Sequence, residues 1–210
     1  GSSGSGEEYG FPELLGVSFS RARTRRAEPS ETNNACLVAV VSDNRFFAYN
    51  NNERADTTQA MLSHVAVADR IFSSTTFASD IPDGLSLFVH EVTINKNPAF
   101  VSKNSVQEML SDFSTQMDFS ESCVAHLFTR VDFDGGTLGL AWVGSPERSR
   151  AGGICHSSSS QWLNTGLTSN INFGANVPFA TTSLVTSHEM GHNWGSQHDD
   201  PEDPNCAPGE

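Results

Sequence analysis

At 210 residues the chain is long enough for one ordinary domain with a real core and too short for two large ones. Its 12 Lys+Arg against 25 Asp+Glu give a net charge of −13, a body that repels phosphate backbones, so no nucleic-acid partner is expected. With 37% hydrophobic and 18% charged residues the composition is that of a globular domain, and runs such as Leu37–Val41 fall far short of the ~20 residues that cross a bilayer, so no membrane span is expected in this chain.

Gly1-Ser-Ser-Gly-Ser-Gly6 has no side chain to bury and reads as an expression scar, with a natural flexible linker as the alternative. Residues 7–26 hold a short apolar patch, Phe11-Pro-Glu-Leu-Leu15, and then the basic run Arg21-Ala-Arg-Thr-Arg-Arg26. Like charges repel one another and stay exposed. An exposed Arg-x-Arg-Arg offers guanidinium groups to the acidic pockets of a basic-residue-specific processing protease, and it also fits a solvated basic run or a nuclear-localisation-like patch. Its place just before the first core strand favours a cut after Arg23–Arg26 that leaves Ala27 as the new N-terminus.

Ala35–Ser42 is a continuous apolar run, expected as a strand buried on both faces. Tyr49–Glu53 is a turn-rich break. From Thr58 the period changes, and Met61, Val65, Ala68 and Phe72 mark one face of a helix. Leu85–Ile94 is strand-like again. Ser105-Val-Gln-Glu108 is a capping box that opens a helix with the stripe Val106, Met109, Leu110, Phe113, Met117. Val124–Thr129 is a further strand. Asp134-Gly-Gly136 reads as a hairpin turn. In the segment that follows it, Leu138, Leu140 and Trp142 share one parity and Gly139 and Ala141 the other, the pattern of a sheet edge. Leu163–Ile171 is a last strand candidate, and helix resumes near Thr181–Ser183. Strands and helices so mixed predict an α/β domain with a mixed sheet.

The decisive segment is His188-Glu-Met-Gly-His192-Asn-Trp-Gly-Ser-Gln-His198-Asp199. Four residues turn a helix by ~400°, so His188 and His192 share a face and can give one nitrogen each to a single ion. Gly195 can take positive φ, end the helix and let the chain bring His198 in as third ligand. Three imidazoles with one open position describe a catalytic zinc site. Glu189, beside the first ligand, can take a proton from water and pass it to a leaving amine. Chance alone produces the full pattern on the order of once in 10⁵ chains of this length. His64, His90, His126 and His156 are read as structural or solvated. Asp199, Asp200, Glu202 and Asp203 could hold calcium, but they lack EF-type spacing and fit a solvated turn.

His188–His198 followed by Asp199 resembles the adamalysin (reprolysin) branch of the metzincins. Residues 123–155, Leu163-Asn-Thr-Gly-Leu-Thr168 and Cys206-Ala-Pro-Gly resemble, more narrowly, the membrane-anchored "a disintegrin and metalloproteinase" sheddases, the branch of the tumour-necrosis-factor-α converting enzyme and the α-secretase-type enzyme. The resemblance covers about residues 27–210. It implies a zincin-like twisted mixed sheet with an active-site helix: the upper subdomain of a zinc metalloprotease catalytic domain, the chain stopping before the family's methionine turn and lower subdomain. It implies zinc on His188, His192 and His198 with Glu189 as general base. Gly136, Thr137, Leu138 and Gly139 would form the edge that pairs with an extended substrate. Residues 7–26 would be a propeptide end. The four cysteines allow three connectivities; the resemblance implies Cys36–Cys123, with Cys155 and Cys206 paired to cysteines farther downstream. The implied partners are membrane-proximal stalks of surface proteins and a processing protease, at the extracellular face of the membrane or in the secretory pathway, with the full-length protein membrane-anchored. A non-catalytic binding module or an inactive truncated fragment is the alternative.

Overall fold

The computed structural model describes residues 35–76, 84–98, 100, 104–145, 152–156 and 161–199. The basic run with Arg23, Arg26 and Ala27, the carboxylates Asp200, Glu202 and Asp203, and Cys206 lie outside the described residues. Strand β1, Ala35–Ser42, has the expected bounds and is buried from Val38 onward, while Ala35 and Leu37 stay exposed. Asp43 follows it and caps a short helix, α1 (Asn44–Tyr49): Oδ1 accepts from the Phe46 N–H at 2.8 Å and Oδ2 from the Thr129 hydroxyl at 2.6 Å. Helix α2, Arg54–Ser73, buries the expected stripe of Met61, Val65, Ala68 and Phe72, and with it His64. Strand β2, Ser86–Ile94, is a sheet edge in which only Leu87 is buried. Helix α3, Val106–Gln116, starts where the capping box places it, with the Ser105 hydroxyl accepting from the Glu108 N–H at 3.3 Å. Strand β3, Val124–Thr129, is buried throughout.

The remaining strands are β4 (Gly139–Ala141) and β5 (Thr165–Ser169), and they complete a five-stranded sheet of order β2-β1-β3-β5-β4. All neighbours are parallel except β4, which runs antiparallel to β5. From β1 the chain crosses to β2 through α2, then returns in the opposite direction to β3 through α3. Right-handed crossovers taken in opposite directions place their helices on opposite faces. Accordingly α3 packs with Ala39, Val41, Leu127 and Leu167 on one face, and α2 with Val38, Val40, Val124 and Phe128 on the other.

Two sequence expectations are corrected here. Asp134–Gly136 is a 3-10 turn, not a hairpin between neighbouring strands, because β5 inserts between β3 and β4. The edge strand also begins only at Gly139: Gly136 stands at φ +78, outside the extended region, with Thr137 and Leu138 linking it to β4. After β5 comes a two-stranded hairpin, β6 (Ile171–Asn172) and β7 (Ala175–Asn176), and then helix α4, Phe179–Asn193, on the α2 face.

Cys36, on β1, is disulfide-bonded to Cys123 just before β3, with Cα atoms 5.4 Å apart. Closing an 87-residue separation restricts the unfolded chain by about 4–5 kcal/mol in the chain-entropy account. Cys155 is a free, exposed thiol.

Candidate metal centre

Helix α4 turns a polar underside to the sheet. Thr182, Ser183, Thr186, Ser187 and Asn193 are all buried. Ser183 Oγ donates to the Phe179 carbonyl at 2.8 Å, so it accepts from His64 Nδ1, also 2.8 Å away. Thr186 reaches Thr168 on β5, which bonds His126 Nε2 at 2.8 Å. At the C-terminal end, the Asn193 amide donates to the Trp142 carbonyl at 2.9 Å and the Thr165 carbonyl at 3.1 Å, tying the helix to the end of β4 and to β5.

Gly195 stands at φ +91 and ends the helix as expected, its N–H and that of Gly144 both bonding the His192 carbonyl. The chain reverses and returns His198. Its Nε2 lies 3.1 Å from Nε2 of His188 and 3.1 Å from Nε2 of His192. His192 Nδ1 faces the Ser196 carbonyl at 2.7 Å. A carbonyl only accepts, so Nδ1 carries the proton and Nε2 presents its lone pair to the other rings. Tetrahedral ligands about 2.0–2.1 Å from an ion stand about 3.3 Å apart, and imidazole nitrogen suits zinc, so these residues fit such an ion. Burial, and the neighbouring His192 and His198, lower the pKa of His188. Beside the triad a cleft of about 400 Å³ opens between Ile71 and Phe72 of α2 and Leu184, Ser187 and Gly191 of α4.

Glu189 points to the opposite flank, under β4. A Cβ built on Gly139 would stand 2.6 Å from Glu189 Oε1 and 2.7 Å from its Cγ, so only glycine leaves room for this carboxylate. Glu189 is 6% exposed, and that burial pushes its pKa up to about 8. The parity seen in the sequence has its reason here: Gly139 and Ala141 face α4, while Leu140 and Trp142 pack toward α3. Ser169 donates to the Leu138 carbonyl and Trp142 to the Thr165 carbonyl, so alternation turns the N–H and C=O of Gly139 toward the unpaired edge.

Residues 32–210 match the family model described as Metallo-peptidase family M12, of the reprolysin type. The chain belongs to this family. It is 35% identical over 212 residues to human "Disintegrin and metalloproteinase domain-containing protein 10", covering 95% of this chain and 26% of that protein. The Caenorhabditis elegans "Disintegrin and metalloproteinase domain-containing protein 17 homolog" is 25% identical over 83% of this chain and 31% of its own length. "Snake venom metalloproteinase atroxlysin-1" of Bothrops atrox is 26% identical over 81% of this chain and 75% of its own. The chain thus spans about a quarter of the human relative. As an M12 domain it is of the metalloendopeptidase class, which works with a catalytic metal on peptide substrates.

Within this M12 domain the remaining histidines take no part in the triad. His64 and His126 are buried against α4 and the sheet, where burial holds their pKa values down to about 4 and about 3, the latter helped by His64. His90 bonds the Ser122 hydroxyl. Asn193 is the site residue that sequence reading missed. It sits between motif positions, and its carbonyl partners lie 51 and 28 residues away, so no local pattern marks it. Among the described residues no helix is long and apolar enough to cross a membrane.

Proposed function

We propose that this chain is a zinc-dependent endopeptidase that hydrolyses extended peptide segments, and that residues 27–210 form its catalytic domain. The observation that carries this reading is the convergence of three imidazole nitrogens from His188, His192 and His198 next to a buried carboxylate on the same helix. Zinc held by the three would supply Lewis-acid polarisation and a water acidic enough to ionise near neutral pH. Glu189 then serves as general base: burial alone favours its protonated form, and a cation held by the neighbouring imidazoles would restore the carboxylate, which takes a proton from water and returns it to the leaving amine. The Gly139 N–H and C=O, facing an open edge, align an extended substrate by strand addition, with Leu138, Thr137 and Gly136 continuing the binding surface. Asn193 keeps the helix and this edge in fixed relation.

The similarity to disintegrin and metalloproteinase proteins supports ectodomain shedding as the physiological task, with membrane-proximal stalks as substrates at the extracellular face of the membrane. It also supports membrane anchoring of the whole protein, and the basic run Arg23–Arg26 would be where a processing protease cuts before Ala27. Elemental analysis of the chain, paired with cleavage of an unstructured peptide, tests the reading. About one zinc per chain and cleavage that a chelator abolishes are expected, with both lost in His188→Ala. Zinc bound without cleavage of any peptide would leave a binding module instead.

A further inference from the structure

The β6–β7 hairpin takes no part in the metal centre, yet it is tied down at both ends. At its tip the Asp132 carboxylate accepts from two backbone groups, Oδ1 from the Phe173 N–H at 2.9 Å and Oδ2 from the Gly174 N–H at 2.6 Å. At its base Arg130 donates to Asn170 Oδ1 at 3.1 Å and to Asn176 Oδ1, and its guanidinium lies 4.2 Å from the centre of the Tyr49 ring. Phe173 and Gly174 both stand at positive φ, +47 and +76, the left-handed pair of a tight hairpin turn. This framework holds the Phe173 ring out into solvent, 79% exposed. One edge of the ring rests on Gly136, where a Cβ would fall 2.6 Å from Phe173 Cζ. Bracing a glycine uses only that edge and leaves most of an apolar ring in water, which is unfavourable unless something covers it. Gly136 lies three residues before Gly139, roughly 8–10 Å along the edge from the point where Glu189 sits.

We propose that Phe173 is a specificity-determining residue, a fixed apolar platform for a substrate side chain about three residues from the scissile bond. The inference rests on the reading that the Gly139 edge pairs with an extended substrate. β4 runs from Gly139 to Ala141, so a chain adding antiparallel, the more stable pairing, runs toward Gly136 as it proceeds to its C-terminus. The side chain that meets Phe173 is then the third after the cleaved bond. Exposed Asp134, in the same turn as Gly136, disfavours an acidic group there.

The test is a set of unstructured peptides identical except for Leu, Ala or Asp at that third position. An open platform discriminates less than an enclosed pocket, so the wild type should prefer Leu to Ala by about five- to tenfold in kcat/KM, with Asp poorest. Phe173→Ala should bring the Leu/Ala ratio close to one, and Phe173→Tyr should preserve it. Peptide dissociation constants measured on Glu189→Gln should show the same ratio without turnover. If Phe173→Ala slows every peptide by one common factor, the ring only braces Gly136 and the proposal is overturned. It is equally overturned if the wild type shows no preference at that position. If the zinc-loaded wild type cleaves no peptide at all, the endopeptidase reading falls together with this one.

Discussion

α3 and α4, on opposite faces of the sheet, are seated by different physics. α3 lies on one face through Val106, Met109, Leu110 and Phe113 against Phe119, Leu127 and Leu167, a mainly apolar contact with one buried hydrogen bond to the sheet, Ser114 to Thr165 at 2.7 Å. α4 lies on the other with Met190 in the apolar cluster and, around it, hydrogen bonds from Ser183 to His64 of α2, from Thr186 to Thr168, and from Asn193 to the carbonyls of Trp142 and Thr165. Apolar burial is strong but non-directional. Hydrogen bonds contribute less each and weaken steeply with distance and angle. A helix seated on them is fixed in rotation and translation, and α4 presents His188, Glu189 and His192. The seat of α3 chiefly supplies stability, and the seat of α4 chiefly supplies position.

The largest expected effect breaks the apolar face. Phe113, fully buried, touches Phe100 and Phe119 edge-on and tilted, and Phe113→Ala should cost about 3–5 kcal/mol in urea denaturation. Activity per folded molecule should stay close to that of the wild type. A parallel fall in both would show that the two faces are not separable.

Acid should weaken the α4 face. The unfolded chain protonates His64 near 6.5, whereas the folded chain resists until about 4, so the unfolded state binds more protons between those values. Stability is therefore complete above about 6.5 and is lost as pH falls toward about 4, by up to about 3 kcal/mol for this histidine. The difference between wild type and His64→Gln in denaturation against pH isolates it. A flat difference would remove His64 from the account.

A smaller stability effect with a larger functional one sharpens the contrast. Asn193→Ala removes two hydrogen bonds and should cost about 1–3 kcal/mol. It should nevertheless lower kcat/KM far more than Phe113→Ala does, measured on matched amounts of folded protein.

What the sequence made legible is what local geometry decides. The stripes of α2 and α3 and the apolar run of β1 follow from periods of 3.6 and from continuous burial, and they stand where expected except at the ends, where Met117 falls just past α3 in extended backbone and Ala35 and Leu37 of β1 are exposed. The triad is legible for the same reason, since i, i+4 spacing and Gly195 act within one turn of chain. α1 was hidden because six residues with only Phe46 and Phe47 buried give no period to detect. The hairpin reading of Asp134–Gly136 failed because the neighbour of β4 is β5, whose arrival depends on pairing with β3. The polar seat of α4 was hidden too, because Thr182, Ser183, Thr186 and Ser187 look like a solvated face until the sheet is placed beneath them.

On this reading α4 carries two metal ligands and, between them in sequence, a base that is no ligand. Glu189→Gln, assayed for zinc content and peptide turnover on the same preparation, tests it most directly. The amide fits the space beside Gly139 and leaves His188, His192 and His198 untouched. Zinc should remain at about one per chain while turnover falls by about 10²–10⁴. Near-normal turnover, or loss of the zinc, would contradict the assignment.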